Sequence, residues 1–271
     1  MGGLLELLED YYDAVPRGTA RAEDFGPLTL FVREGEGWPY YARPARSWRG
    51  PVTAADVRRV RDRQRELGVP ESFEWVAETT PALRAAVTEA GLTVCEHPLM
   101  ALDPAAGTEG TDGLPEGLSV RVVGPGDPAL PSAVAVPNVA FSEPGPAVGG
   151  AGPAELAATV RKLSADGSVD RLAARVEAGL TVLAAAVRDG TALCAGQHQP
   201  VGDVTELVGI GTLPTARRQG LGLAVTAALV ADARSRGVRT VFLSAGDEVT
   251  GRVYGRAGFR RVGTALIAGP G

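Results

Sequence analysis

The stretch Glu206–Gly222, ELVGIGTLPTARRQGLG, decides how this chain is read. A strand over Thr205–Leu213 runs into Pro214, and the run R-R-Q-G-L-G at Arg217–Gly222 then opens a long apolar helix that reaches about Arg236 and stops at Gly237. Such a loop presents unpaired backbone N–H groups, two glycines that let a ligand approach closely, and the positive end of a helix dipole. Together these make an anion site suited to a pyrophosphate. Arg217 and Arg218 add full charges. The plainer alternative is a helix start that needs flexibility. Two common phosphate motifs are excluded, because there is no G-x-x-x-x-G-K-[ST] and Arg217-Arg218-Gln219 supplies no glycine for G-x-G-x-x-G.

Working outward, Leu118–Val123 reads as a strand, Pro128–Phe141 and Pro153–Ala178 as helical regions, and Leu180–Arg188 and Ala192–Gln199 as strands joined to their successors by the hairpin turns Asp189-Gly190 and Gly202-Asp203. After the long helix come a strand at Arg239–Ser244, a short helix at Thr250–Ala257 and a closing strand at Phe259–Ile267. Residues 103–117, DPAAGTEGTDGLPEG, are rich in Gly, Pro, Thr and acid, which is how a linker looks. Before it, Gly3–Val15 reads as a helix, and Leu28–Arg33, Pro39–Arg43 and Ser72–Val76 as strands. Thr53 is an N-cap for the helix that ends at Gly68, and Pro81–Ala90 and Leu92–Leu102 complete a helix and a strand. The halves match: each has a helix ending in Gly (Gly68, Gly237), an apolar strand, and a short helix ending in Ala-Gly (Ala90-Gly91, Ala257-Gly258). This predicts an internal repeat, with domains at residues 1–102 and 118–271.

The R-x-x-G-x-G of Arg217–Gly222 follows a strand ending in Pro and precedes a helix, an apolar strand, and Tyr254 four residues before Gly258. With these linked motifs the segment from about Leu118 to Ile267 resembles the GNAT acyltransferase superfamily. The resemblance implies an α/β (α+β) fold of tandem GNAT-like repeats, each a mixed, mostly antiparallel sheet flanked by helices. It also implies an acetyl-CoA-dependent N-acetyltransferase that works by direct attack of an amine in a ternary complex. The loop from Arg217 through Gln219, Gly220, Leu221 and Gly222 would bind the pyrophosphate. The strands on either side of it would splay, with Ile210, Gly211, Thr212 and Leu213 facing the pantetheine and thioester, and a backbone N–H near Ile210 or Gly211 would polarise the carbonyl.

Tyr254 falls where the family often has a general acid for the departing thiolate, a modest task for a leaving group whose pKa is near 8.5; the alternative is a packing tyrosine. A frequent asparagine of the family is replaced by Asp247, which puts that cofactor contact in question. Glu206 lies where some members carry the base that deprotonates the amine, although strand alternation leaves it free to face solvent instead. His198 is a second base candidate, since histidine titrates in the right range. Cys194, among apolar neighbours, reads as inert, and His97 as structural. In the first half, Pro51 falls over Gly220 and Val87 over Tyr254. Proline has no N–H and blocks close approach, so that half is expected to be a degenerate unit without a cofactor loop, supporting the second and walling the acceptor pocket. A non-catalytic acyl-CoA-binding module and transfer of a longer acyl group are the rival functions.

Composition bounds these readings. A chain of 271 residues, 45% hydrophobic and 22% charged with a net charge of -5, is an ordinary globular composition with room for two cores. The mild acidity argues against nucleic acid as the main partner. Cys95 and Cys194 are isolated, so neither a disulfide framework nor a metal site is expected. The start MGGLLELLEDYYDAV lacks a signal-peptide pattern and no apolar run is long enough to span a membrane, which together predict a cytoplasmic protein. The partner expected is a small-molecule or peptide amine, and the chain is expected to be a monomer whose halves mimic a dimer.

Overall fold

A computed structural model describes residues 2–35, 37, 39–107 and 113–271. The elements are α1 (Gly2–Arg17), β1 (Ala20–Asp24), β2 (Leu28–Arg33), β3 (Ala42–Pro44), α2 (Ala54–Leu67), β4 (Phe73–Val76), α3 (Leu83–Glu89), β5 (Thr93–Leu102), β6 (Ser119–Val123), α4 (Leu130–Ser142), α5 (Pro153–Ala165), α6 (Ser168–Glu177), β7 (Val182–Arg188), β8 (Thr191–Val201), β9 (Val204–Thr212), α7 (Leu221–Ser235), β10 (Thr240–Ser244), α8 (Glu248–Arg256) and β11 (Phe259–Gly269). This is the expected mixed α/β architecture of mostly antiparallel sheet flanked by helices. Of the expected linker, residues 108–112 lie outside the described residues.

The chain divides into two compact units, Met1–Leu99 with Arg261–Gly271, and Met100–Arg260. The sequence reading keeps the closing strand with the second half. In the structure most of that strand belongs to the first unit, because β11 pairs antiparallel with β4, with Leu266 opposite Trp75 and Ala268 opposite Phe73. Leu266 and Ala268 are buried in the first unit's core beside Val57, Val60 and Leu83. The first unit has strand order β1-β2-β3-β4-β11-β5. Its helix α2 starts on a capping box, in which the Thr53 side chain accepts from Asp56 N–H and the Asp56 carboxylate accepts from Thr53 N–H, and it ends on Gly68 at φ 66°. β1, ARAED, escapes the sequence reading because an exposed edge strand of charged residues carries no apolar alternation.

The second unit has strand order β10-β9-β8-β7-β6. Asp189 and Gly190, both at positive φ (50° and 76°), make the tight turn between β7 and β8. The single helix expected over Pro153–Ala178 is two, since Gly167 at φ 75° breaks it between α5 and α6. Helices α4 and α7 both pack on β8 and β9. They cover opposite faces: a Cβ at Gly211 would meet Ala140 and Pro137 of α4, whereas His198 bonds Asp232 of α7. Gly211 pairs with Ala195 of β8, and Ala195 and His198 differ in parity along that strand, as opposite faces require. Among the described residues no helix is long and apolar enough to cross a membrane, and no cluster of His, Cys, Asp and Glu is arranged to hold a metal.

Candidate active site

The site begins where two strands part. β9 and β10 run parallel and pair through Thr240 with Val204, Val241 with Thr205 and Phe242 with Glu206. There the register ends, while β9 continues to Thr212 and β10 only to Ser244. The backbone of β9 beyond Glu206 therefore opens a gap whose polar groups can bond an extended ligand, as a strand edge does. On its other side β9 pairs with β8, and between the pairs Ala195–Gly211 and Gln197–Val208 the register shifts, so that Gly209 and Ile210 both oppose Gly196. Gly209 has φ 64°, the left-handed first position of a glycine bulge. The bulge re-aims the backbone just inside the gap, beside Ile210 and Gly211. Gly209 carries no motif of its own, so only its place inside a strand pattern could have signalled it.

Leu213 is buried at the end of β9, and a short 3-10 turn over Pro214–Ala216 leads to the loop. Arg218 sits at φ 68° and Gly220 at φ 78°. The left-handed conformation strains a non-glycine residue by roughly 1–2 kcal/mol, so the loop's shape is imposed rather than relaxed. No side chain caps α7 at Gly220, which leaves the first-turn N–H groups of Leu221, Gly222 and Leu223 directed outward at the positive end of a 15-residue helix. A Cβ at Gly220 would meet nothing within 4 Å, so the approach to these groups is open. Arg218 is exposed beside them and Gln219 is half-buried. The residues present thus fit a pyrophosphate.

Arg217 does not serve as the sequence reading expects. Its guanidinium donates to the carbonyl oxygens of Ala140 at 2.8 Å, Glu143 at 2.5 Å and Ala147 at 3.0 Å, and its Nε to Thr212 O at 3.4 Å. Four of its five N–H donors go to protein backbone, while Arg218, beside the same loop, is exposed. Asp247 is likewise engaged elsewhere: its carboxylate accepts from Thr250 N–H at 2.6 Å and caps α8. That bond holds its pKa below the usual carboxylate value.

At the loop end of the gap, Thr212 donates to Cys194 Sγ at 3.2 Å across the β8–β9 pair. Cys194 is fully buried, and burial pushes its thiol up to about 12. Tyr254, on α8, packs edge-on against Phe259 with ring centroids 6.0 Å apart. Burial first, and the neighbouring Cys194 second, raise its hydroxyl well above the ordinary tyrosine value. Tyr254 therefore keeps its proton throughout the neutral range. Thr212 and Cys194 meet at this place.

The two base candidates separate. His198 is fully buried, with Nδ1 3.0 Å from Thr205 Oγ1 and Nε2 2.9 Å from Asp232 Oδ2, so both ring nitrogens are occupied away from the gap. Burial, the largest influence, lowers its pKa despite Asp232. Both ring nitrogens of His198 are thus engaged within the second unit, and Asp232, a residue with no signal of its own in the sequence, is its partner. Thr205, which meets His198, faces α7; one residue on, Glu206 faces the opposite side, that of α4. Glu206 is half-buried at the last paired rung before the gap.

Residues 161–259 match the model of the acetyltransferase (GNAT) family. Over 199 residues the chain is 33% identical to a mycothiol acetyltransferase of Cellulomonas flavigena, covering 72% of this chain and 56% of that relative, so it spans about half the length of the curated relative it matches. Among solved structures, a GCN5-related N-acetyltransferase from Kribbella flavida aligns over 98% of this chain and 96% of its own with a TM-score of 0.69 and 23% identity. A tandem GNAT protein from the clavulanic acid biosynthesis pathway aligns over 90% and 78% with a TM-score of 0.52 and 16% identity. At these identities the structural likenesses speak to fold.

Proposed function

This chain belongs to the GNAT acetyltransferase family, and from that premise we propose that its second unit transfers the acetyl group of acetyl-CoA to the amine of a small molecule or peptide, by direct attack with both substrates bound. The observation that carries the proposal is the ending of β9–β10 pairing at Glu206–Phe242, with an uncapped glycine loop at one end of the opening.

Acetyl-CoA supplies the activated thioester. The N–H groups of Leu221 and Gly222, with Arg218, hold the pyrophosphate, and the gap side of the Ile210–Thr212 backbone holds the pantetheine arm, with Leu213, its N–H bonded to Leu193 O, closing the end. A backbone N–H at the Gly209–Ile210 bulge, near Ile210 or Gly211, donates to the thioester oxygen as negative charge develops on it. Glu206 receives the proton that the amine must lose to attack. Tyr254 gives its proton to the departing thiolate, a leaving group stable enough at neutral pH to ask little of its acid. His198 has a supporting role, and Cys194, with its thiol held protonated, forms no acyl-enzyme.

The first unit, in this reading, is a GNAT-like unit without the cofactor loop. Pro51 stands where the second has Gly220, and Val87, where the second has Tyr254, is fully buried.

The test follows free thiol in mixtures of the full chain, acetyl-CoA and a panel of amines that includes the acceptor of mycothiol acetylation, the reaction named for the relative. Slow release alone and faster release with some amine are expected. Tight CoA binding that no amine converts to thiol release would make the protein a binding module instead.

A further inference from the structure

We propose that Arg217 is a positioning residue that straps the segment following α4 to the cofactor loop, so that acceptor binding depends on it more than cofactor binding does. The inference rests on the acetyl-transfer reading above and deepens it. Arginine offers five N–H donors in a rigid fork and no acceptor. In this chain the fork reaches four carbonyls, of Ala140, Glu143 and Ala147 on one side and Thr212 on the other. Two of the four lie at the C-terminal end of α4, which has no basic residue in its last turn and has Glu143 as its C-cap. A helix end of this kind leaves carbonyls without intrahelical partners, and Arg217 supplies them from another element.

The strap is closed by main-chain bonds between the same two segments. Gly149 N–H donates to Pro214 O at 3.1 Å, and Thr215 N–H donates to Ala151 O at 3.1 Å. The Glu143 carboxylate turns inward to accept from the N–H groups of Gly150 at 2.9 Å and Ala151 at 2.8 Å. A Cβ at Gly149 would lie 2.9 Å from Pro214 Cβ, so the two segments touch as closely as glycine allows. α4 also lies over the reacting strand, since a Cβ at Gly211 would fall 2.8 Å from Ala140 Cβ and 3.0 Å from Pro137 Cα. The α4 side is the one that Glu206 faces. Any displacement of residues 140–151 therefore moves the wall next to the amine, while the amides of Leu221 and Gly222 stay fixed by α7.

The test compares Arg217→Ala and Arg217→Lys with wild type in the full chain, after thermal melts show each variant folded. Lysine keeps the charge and loses the fork. A strap predicts that both variants speed amide hydrogen exchange at residues 149–151 about 10-fold or more, that both raise the acceptor KM about 10-fold and by more than they lower kcat, and that CoA affinity by calorimetry changes less than about 3-fold. A phosphate-binding cation predicts the reverse: Arg217→Ala loses CoA affinity about 10-fold or more, Arg217→Lys restores it, and exchange at 149–151 does not move. That pattern, or unchanged exchange in both variants, overturns the proposal. A wild-type chain that binds no CoA would defeat the acetyl-transfer reading instead, and the exchange measurement still decides the strap.

Discussion

His198 Nε2 lies 2.9 Å from Asp232 Oδ2, joining the middle of β8 to the last turns of α7. Nδ1 is within 3.0 Å of Thr205 Oγ1 on β9. The imidazole thus ties the helix that begins at the cofactor loop to the two strands that carry the gap. It does so one residue before pairing with β10 stops at Glu206. A neutral ring satisfies both contacts, with Nε2–H donating to Asp232 and Nδ1 accepting from Thr205, and a second proton would deprive Thr205 of its acceptor.

His198→Gln is therefore expected to leave the pH dependence of turnover unchanged, whereas a catalytic histidine would take an acid limb with it. Its effect should appear in stability. The folded-state pKa of His198 lies below its ordinary value of 6.5. Its contribution is therefore complete above that pH and is lost as pH falls from 6.5 toward the folded pKa. The variant should be less stable than wild type at pH 7.5 by about 1–3 kcal/mol, and the difference should shrink at pH 5.5. Denaturant melts at the two pH values decide it; a gap that widens on acidification contradicts the neutral-ring assignment.

Tyr254→Phe should lower kcat about 10- to 100-fold, at the weak end of acid catalysis because thiolate is a tolerable leaving group. CoA affinity should hardly change. Cys194→Ala, by contrast, should keep most of the turnover while costing about 1 kcal/mol of stability for the lost packing. Initial rates and CoA titrations on both variants test the pair, and inactivity of Cys194→Ala with normal folding would revive a covalent route.

The loop and its helix could be read from sequence because their signals are local: the stop at Pro214, the glycines at 220 and 222, the apolar run after them. Pairing between distant segments carries no such mark. β11 looks from its own residues like the end of the second half, and only its register against β4, Leu266 opposite Trp75, assigns it to the first unit. The contacts of Arg217 are hidden from the sequence for a related reason. An arginine beside a phosphate-type loop suggests a counter-charge, while the carbonyls of Ala140, Glu143 and Ala147 that occupy it lie some seventy residues away in sequence. Glu206 was undecided by alternation alone, and the contact of its neighbour Thr205 with His198 sets its face.

Gly211→Ala and Gly220→Ala should fail differently. At Gly211 the added methyl would sit 2.8 Å from Ala140 Cβ and 3.0 Å from Pro137 Cα, so α4 must move. Overpacking of that kind costs about 1–3 kcal/mol and shifts the acceptor wall. At Gly220 the methyl meets open space, but φ is 78°. Alanine there costs about 1 kcal/mol in backbone strain and intrudes where the pyrophosphate is to bind. Melting temperature and CoA affinity separate the two: Gly211→Ala is expected to lose more stability and Gly220→Ala more CoA affinity. Equal CoA affinity in Gly220→Ala and wild type would remove the loop assignment.

A titratable carboxyl in the first unit gives a pH signature independent of the reaction. Burial raises Glu74, on β4, to about 7 from 4.5, with Arg43 pulling the other way. Between those values the folded chain holds a proton that the unfolded chain has released. Stability attributable to Glu74 accordingly falls as pH rises from 4.5 to 7 and is level above that. Glu74→Gln keeps the shape and removes the titration, so the variant should gain on wild type across this interval, reaching about 1–3 kcal/mol at pH 8. The effect of the substitution at pH 4.5 should be small. Urea denaturation of both proteins at pH 4.5, 6 and 8 measures the difference, and a constant offset at all three would mean that Glu74 ionises in the folded chain as it does in the unfolded one.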